Sequence, residues 1–583
     1  MKSSKSIVDS YLKKEDWRVN ENSNSPFSFG GLNKYITAEV SKDYWLREVY
    51  PEEISKAYVD GHIHVHDLGG LSLYCTGYSL RDVLMKGVRG IPNIPTSAPA
   101  KHFDSVLNQL ANLVTIFQNE IMGAVAFNSF DTLLAPFIKK DRLSYDEVKQ
   151  NMQNFIYSIN SNSRAGAEPA FSNLTFDLTP PEDLLDDFVI IGGKLDNFTY
   201  RDCQHEMDML NRSFFEIMLE GDAEGKLFAY PIPTYNIHKR FDWDNPNNDL
   251  LWELTGKFGT PYFANFINSD MDVSDVRSMC CRLRLNLAEL RRRNGGLFGA
   301  GDSTGSIGVV TVNLPRIGYE NRGDLKGFYK ALDYYLGVAK DSLVIKRNWL
   351  QKNIIDTKAI PAYIEYVGTL KNHFSTIGIV GMNECCMNFL GVDIREQEGK
   401  QFALDIGDHI RKKLLEYQDE CDCLFNYEAT PAESVCYRFA LKDKKDYPDI
   451  FTQGSGQDCY YTNSCHIPVK DITSINDTFA HQEALQTQFT GGTVIHCYLE
   501  GGISGEQAKA IVRAMNEKYR VPYMSLSPIS RYCEIHGYVS DHVDICPKCG
   551  KRLKKYQRIT GYLRCVDNFN KGKRAEFNDR KQL

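Results

Sequence analysis

Four residues near the C-terminus have the types and the spacing of a metal site. Cys533 and His536 are separated by two residues, as are Cys546 and Cys549, with nine residues between the pairs and a glycine after each pair. Each pair can close a tight turn that presents two donors, which is typical of tetrahedral structural zinc sites. Four protein ligands leave no open position, so we predict a structural Zn²⁺. His542 lies nearby as an alternative to His536.

A glycine that follows this motif is open to a second kind of chemistry. It lies within Arg558-Ile559-Thr560-Gly561-Tyr562. An isolated glycine is most often a turn residue. A radical at the Cα of glycine, however, can become planar and be delocalised over the flanking amide nitrogen and carbonyl group, and an unhindered Cα is accessible to an activating enzyme. The pentapeptide alone does not decide between these roles.

Composition excludes several functional classes. The 583 residues carry a net charge of -7 and a pI near 6.1, which argues against a duplex-DNA binder. The N-terminus has no apolar signal core, and no stretch approaches the roughly 18 apolar residues of a membrane span. We therefore expect a cytoplasmic protein without stable nucleic-acid or membrane binding. Sixteen cysteines without a secretion signal indicate reduced thiols with metal, redox or radical roles.

Periodic patterns indicate the elements that must position these residues. Apolar residues recur at helical spacing from Phe103 to Ile121, which predicts a long amphipathic helix. Residues 308–312 predict a buried strand whose extension Pro315 limits. Short apolar strands alternate with helical patterns, which favours an α/β architecture rich in parallel sheet. The tail from about residue 528 has few long apolar runs, so a small module held by a metal is expected there.

Sequence blocks along essentially the whole chain resemble the class III, anaerobic ribonucleoside-triphosphate reductases, a family of glycyl radical enzymes. The RxxGY pentapeptide and its continuation VDNFNKGKRAEFNDR resemble the C-terminus of that family. The other matching blocks run in the family's order: GHIHVHDLGGLSLYCTGY, GAVAFNSFDTLLAPF, FAYPIPTYN, RSMCCRLRLN, IGVVTVNLPRIGY, NYEATPAES, YYTNSCHIP and TGGTVIH. Each block is weak alone, but the ordered combination is highly specific.

The resemblance implies an α/β fold and a division of the chain. The implied fold is a ten-stranded α/β barrel of two five-stranded halves, with a finger loop inside that carries a cysteine. A small C-terminal zinc and glycyl-radical module inserts its glycine loop toward the tip of the finger. We expect residues 1–527 to form the barrel and residues 528–583 the module. The motif FGGLNKYI begins at Phe29, so we expect no N-terminal ATP-cone domain.

The resemblance also implies roles for individual residues. Gly561 would store the radical, and Cys281 would be the thiyl residue that takes the 3′ hydrogen of the ribose and returns it. Cys75 would be the second active-site thiol, which can protonate the 2′-hydroxyl as it leaves. Core packing is the alternative for the Cys280-Cys281 pair. Candidate substrate-binding residues are His66, just upstream of Cys75, and polar residues of blocks that line the cavity in the family: Asn426, Glu428, Thr462, Asn463 and Ser464.

The same resemblance implies partners and cofactors. A radical-SAM iron–sulfur activating protein would generate the radical, the substrates would be ribonucleoside triphosphates, and dNTP or ATP effectors would set specificity in a homodimer. The reductant stays open between formate and a thioredoxin-type dithiol. Formate-using relatives usually carry an asparagine where this chain has Asp302-Ser303-Thr304, whereas Met279 resembles that group.

Two other functions are the alternatives. Another glycyl radical enzyme, an acyltransferase or a dehydratase, would share the radical glycine, but those enzymes lack the Cys/His module before the glycine loop. A zinc-ribbon nucleic-acid-binding protein would use the basic tail, but the net charge of -7 argues against it. The sequence therefore favours the reductase.

Overall fold

The structure is a computed structural model and describes residues 3–14, 27–161, 168–269, 303–539 and 542–583. Across these ranges every helix falls short of the length or apolarity needed to cross a membrane. The α-helices are Ser4–Leu12, Phe29–Tyr44, Glu52–Asp60, Leu80–Lys86, Phe103–Gln118, Phe130–Asp141, Tyr145–Ile159, Gln204–Glu220, Asp249–Phe258, Leu314–Glu320, Leu325–Leu350, Pro361–Tyr366, Met382–Phe389, Gln397–Cys421, Glu433–Asp446, Ile475–Gln486, Gly505–Lys518 and Lys571–Asp579.

The described strands are numbered in chain order. They are β1 (Ile63–Val65), β2 (Cys75–Tyr78), β3 (Val125–Phe127), β4 (Ser172–Phe176), β5 (Phe188–Ile191), β6 (Lys194–Thr199), β7 (Ile232–Ile237), β8 (Tyr262–Asn265), β9 (Thr304–Asn313), β10 (His373–Val380), β11 (Leu424–Glu428), β12 (Ile495–Leu499), β13 (Tyr523–Pro528), β14 (Ser530–Cys533), β15 (Gly537–Val539), β16 (Lys554–Arg558) and β17 (Leu563–Cys565).

Two elements predicted from periodicity are present. The helix Phe103–Gln118 buries the predicted apolar face, and Ile121 lies just beyond its end. The predicted strand is β9, which is longer than expected because it begins at Thr304, and it is buried along its whole length. It ends where Pro315 enters the first turn of the next helix, a position that does not need an amide hydrogen.

The main sheet forms a barrel of two five-stranded halves. Its order is β11-β10-β9-β2-β3-β4-β7-β8-β13-β12, with β1 added beside β9. Neighbours are parallel except at the seams β2/β9 and β8/β13. Hydrogen bonds from Gly491 N to Tyr427 O and from Ala429 N to Gly492 O join β11 to the residues before β12, which closes the order. The expected ten-stranded α/β barrel is confirmed.

The two faces of the barrel strands differ in chemistry. Because side chains alternate along a strand, one face packs against the helices, where residues such as Phe127, Tyr235 and Ile377 join the two large apolar cores. Burying each such side chain contributes about 1.5–3 kcal/mol. The opposite face carries smaller and more polar residues, among them Ala126 and Asn426. The interior of the barrel is therefore suited to a polar ligand.

The C-terminal tail forms a separate antiparallel sheet. Its order is β15-β14-β16-β17, and β14 follows the last barrel strand almost directly. In the hairpin of β16 and β17, Arg558 lies opposite Leu563. Residues 559–562 are the turn of this hairpin, so the sheet presents Gly561 at its tip.

Candidate active site

The glycine loop lies inside the barrel. Gly561 is buried, and the Ile559 amide donates to Tyr562 O over 2.9 Å across the turn. The Tyr562 ring packs edge-on against Phe171, with 5.0 Å between ring centroids. It also joins a cluster of interior residues that includes Tyr262 of β8. The hairpin tip is therefore held among side chains of the barrel strands.

Three polar side chains contact the peptide groups of Gly561. Its carbonyl oxygen accepts hydrogen bonds from the Tyr262 hydroxyl and, over 3.0 Å, from Arg558 Nη1. Its amide donates to Glu433 Oε1 over 3.4 Å. The position of the glycine is thus fixed by one residue of its own hairpin and by two elements of the barrel.

The C-terminal helix and Arg580, which follows it, hold the backbone of the same loop. Arg580 Nη1 donates to Arg558 O over 2.8 Å, and Arg580 Nη2 donates to Ile559 O over 2.6 Å. Glu576 pairs with Arg580 at 2.9 Å and with Lys573 at 2.6 Å, and all three side chains are buried. Buried charges need such partners. This group of three charged residues therefore holds the C-terminal tail against Arg558 and Ile559, which precede the glycine.

Cys75 lies on the interior face of β2 and is 1% exposed. It is opposite Ser306 in the antiparallel seam, and its sulfur accepts a hydrogen bond from Ala124 N over 3.4 Å. Phe171 packs both against the small cluster that contains Cys75 and against the cluster that contains Tyr562. One ring therefore connects the second predicted thiol with the glycine loop.

Asn426 and Glu428 lie on β11, beside Thr376 and Gly378 of β10, and both are 1% exposed. Among the described residues, neither polar atom of the Asn426 side chain has a hydrogen-bond partner. A buried amide left unsatisfied costs about 1–3 kcal/mol, so such a group usually meets a ligand or water. Asn426 is therefore available to a polar ligand.

The three consecutive candidates face different neighbours. The Thr462 hydroxyl donates to Glu384 Oε1 over 2.8 Å, whereas Asn463 Nδ2 donates to the Thr560 hydroxyl of the glycine loop over 3.5 Å. Ser464 has a φ of 45°, and in the described part of the chain its buried hydroxyl has no partner. Asn463 thus touches the glycine loop, while the Ser464 hydroxyl is buried and has no hydrogen-bond partner within the described ranges.

His66 is engaged inside the fold. Its Nε2 lies 2.8 Å from the Thr311 hydroxyl. Burial, reinforced by the positive charges of Lys346 and Arg438, lowers the pKa of His66 to about 3, so the ring is neutral. The neighbouring His64 lies 3.0 Å from Arg438 Nη1 through its Nδ1. Both histidine rings are therefore engaged in hydrogen bonds within the fold.

The Cys/His motif forms a compact donor cluster. The ligand atoms of Cys533, His536, Cys546 and Cys549 lie within 4.8 Å of one another. Cys533 Sγ is 3.6 Å from Cys549 Sγ and 3.7 Å from His536 Nδ1, and Cys546 Sγ is 3.5 Å from His536 Nδ1. A tetrahedral ion with bonds of ~2.3 Å requires edges of roughly 3.5–3.8 Å. The donor set and these three distances fit Zn²⁺.

Local backbone geometry explains why this short segment closes into the cluster. Gly537 and Gly550, which follow the two donor pairs, have φ values of 72° and 70°, a conformation that side chains disfavour. The His542 ring lies against Gly501 of the barrel instead, so close that a Cβ there would lie 2.4 Å from its Nε2. The structure therefore brings His536, and not His542, to the three thiols.

Some predicted residues lie outside the described ranges, and the sequence patterns did not indicate some residues of the site. Cys281, with Met279 and Asp302, falls within residues 270–302, which the structure does not describe. The contacts of Tyr262 and Glu433 with Gly561 join residues far apart in sequence, and no local pattern indicated them.

Comparisons with known proteins identify the family. The family model described as anaerobic ribonucleoside-triphosphate reductase matches residues 21–583. This chain belongs to the anaerobic ribonucleoside-triphosphate reductase family. Reductases of this name from Haemophilus influenzae and Escherichia coli are 24% and 25% identical, each over 96% of this chain and 83% of the relative. The enzyme of that name from enterobacteria phage T4 is 22% identical and covers 96% of both chains.

Solved structures of the anaerobic ribonucleotide reductase from Thermotoga maritima share the fold. The structure with dATP bound in the specificity site superposes with a TM-score of 0.75 at 22% identity, over 97% of this chain and 94% of that chain. The complex with dATP and CTP gives 0.76 at 21% identity, over 98% and 94%.

Proposed function

We propose that this chain reduces ribonucleoside triphosphates to 2′-deoxyribonucleoside triphosphates by glycyl and thiyl radical chemistry. The observation that carries the proposal is the burial of the Gly561 loop inside the barrel, next to the Phe171 ring that also packs on the cluster of Cys75. The proposed radical residue, a thiol and a polar cavity therefore all lie in the interior of the barrel. Membership of the family argues against the two alternatives, another glycyl radical enzyme and a nucleic-acid-binding protein.

Each residue has a role in the proposed reaction. Gly561 stores the radical, and Cys281 moves a hydrogen atom from the 3′ carbon of the ribose and back. Cys75 protonates the departing 2′-hydroxyl, which is general-acid work. Asn426 and Ser464, whose buried polar atoms have no partner among the residues that the structure describes, bind the sugar or phosphates. His66, Glu428, Thr462 and Asn463 complete the proposed substrate contacts.

The C-terminal module has a proposed boundary and a proposed metal. Residues 1–527 form the catalytic barrel, and residues 528–583 form the zinc and glycyl-radical module. Cys533, His536, Cys546 and Cys549 hold Zn²⁺, which cross-links the sheet that presents the glycine. A radical-SAM protein activates the enzyme in the cytoplasm, dNTP or ATP effectors act on a homodimer, and the reductant is formate or a thioredoxin-type dithiol.

The deciding experiment is anaerobic activation of the full chain with a radical-SAM activating protein. We expect an EPR doublet and the conversion of CTP to dCTP, with formate and thioredoxin supplied in separate reactions to identify the reductant. The Gly561→Ala variant should show no glycyl doublet and no product. A doublet that persists in this variant, or wild-type protein that is activated yet forms no deoxynucleotide with any of the four common substrates, would contradict the proposal.

A further inference from the structure

The two peptide groups of Gly561 are surrounded by side chains of opposite character. Arg558 Nη1 lies 3.0 Å from the carbonyl oxygen, and the Tyr262 hydroxyl donates to the same atom. On the other side, the amide donates to Glu433 Oε1 over 3.4 Å. A cation therefore faces the carbonyl oxygen, while a carboxylate faces the amide.

These groups are held firmly before any reaction occurs. Arg558 is 3% exposed, and its Nη2 donates to Gly259 O over 2.6 Å and to Thr260 O over 2.7 Å. Its guanidinium carbon lies 3.9 Å from the centroid of the Tyr262 ring. Glu433 is the first residue of its helix, where the helix dipole favours a negative charge. Fixed charges in a water-poor interior act more strongly than the same charges in water.

This polarity matches the electron distribution of a glycine radical. When the unpaired electron at Cα is delocalised, the amide nitrogen donates electron density and gains positive character. The carbonyl oxygen accepts density and gains negative character. We propose that Arg558, Tyr262 and Glu433 stabilise the radical at Gly561 by polarising its peptide groups in the direction that this delocalisation requires. The inference rests on the proposed radical role of Gly561.

The consequence concerns the hydrogen-atom relay. In the forward step the S–H bond of Cys281 breaks and a C–H bond forms at Gly561, which leaves a thiyl radical and a closed-shell glycine. The return step reverses both changes, so atoms and electrons balance. The polar contacts stabilise the glycine radical and not the thiyl radical. They therefore shift this equilibrium toward the radical at Gly561. The radical then resides on Gly561 between turnovers, and the thiyl radical exists only briefly.

The test compares variants that change one contact each. Tyr262→Phe removes one donor from the carbonyl oxygen, and Glu433→Gln removes the charge near the amide while it keeps an acceptor. Tyr235→Phe is the matched control, since its buried hydroxyl has no partner among the described residues and its ring packs in the outer apolar core. Each full-length protein is activated anaerobically, its zinc content is checked, and high-field EPR spectra and radical decay are recorded.

The expected results separate this role from simple support of the fold. Tyr262→Phe should raise the largest g value, because that component depends on hydrogen bonding at the radical's oxygen. Its radical should decay about tenfold faster, the equivalent of ~1.4 kcal/mol. Glu433→Gln should also decay faster and should alter the nitrogen hyperfine coupling, whereas Tyr235→Phe should match wild type.

Each other outcome has a defined meaning. If Tyr262→Phe and Glu433→Gln both retain wild-type g values, hyperfine couplings and decay, the proposed stabilisation is wrong. If Tyr262→Phe fails to fold or to bind zinc, the Glu433→Gln spectra decide alone. A wild-type protein that never yields a doublet contradicts the radical function itself, which is a different failure.

Discussion

Cys75 lies directly opposite Ser306 in the antiparallel seam that joins the two halves of the barrel. We predict that Cys75→Ser keeps the glycyl doublet and the zinc but slows product formation by about 10²- to 10⁴-fold, the usual contribution of a general acid. Single-turnover assays with CTP measure this rate. Cys497→Ser is the control, because Cys497 is buried in the outer apolar core. A wild-type rate in Cys75→Ser would remove the proposed acid role.

Cys281 should act after the radical has been installed. We therefore expect Cys281→Ser to show a normal EPR doublet after activation and no deoxynucleotide, because a serine O–H bond is too strong to pass its hydrogen to the glycine radical. Cys280→Ser is the matched control and should retain activity. Turnover by Cys281→Ser, or its loss only in Cys280→Ser, would reassign the thiyl residue.

The Cys/His cluster predicts one tightly held zinc ion per chain. Cys546→Ser should lose the metal and destabilise the C-terminal module, since structural zinc contributes on the order of 10 kcal/mol to small domains. Metal analysis and limited proteolysis of residues 528–583 measure both effects. His542→Ala should keep its zinc, because the His542 ring lies against Gly501. Loss of zinc from that variant would show that the wrong histidine was assigned.

The neutral His66 ring predicts a stability change in acid. Its folded pKa of about 3 is below the usual value near 6.5, so the contribution to stability is present above pH 6.5 and is lost as the pH falls toward 3. The loss should be at most about 1.4 kcal/mol per pH unit. Urea unfolding of the unactivated protein between pH 7 and pH 4 should show a shallower decline for His66→Gln than for wild type. Parallel declines would mean that His66 is not held neutral.

Local sequence patterns were sufficient where the structure depends on near neighbours. The four donors between Cys533 and Cys549 lie in one short segment, and their spacing alone predicted that they would cluster. The helix Phe103–Gln118 follows from the repeat of its own apolar residues. In both cases the residues that interact are separated by a few turns of chain.

Contacts between distant segments could not be derived in this way. The pairing of β2 with β9, and hence the barrel, was expected only from the resemblance to a family, because strand patterns do not specify partners. The Tyr262 and Glu433 contacts with Gly561 depend on that barrel being closed first. Arg558 is part of the RxxGY pentapeptide, but the sequence did not indicate its contact with the Gly561 carbonyl or its packing on the Tyr262 ring.

The anchoring of the tail on both sides of Gly561 has a consequence for damage by oxygen. A backbone cut at the radical would leave residues 562–583, a peptide of 22 residues, paired with β16 through β17 and bound at its far end where Leu583 N donates to Tyr498 O over 2.9 Å. The broken enzyme should therefore keep its intact mass in native chromatography and release the short peptide only when denatured. An inactivated population would therefore escape native assays of size or assembly, and only a denaturing separation would reveal it.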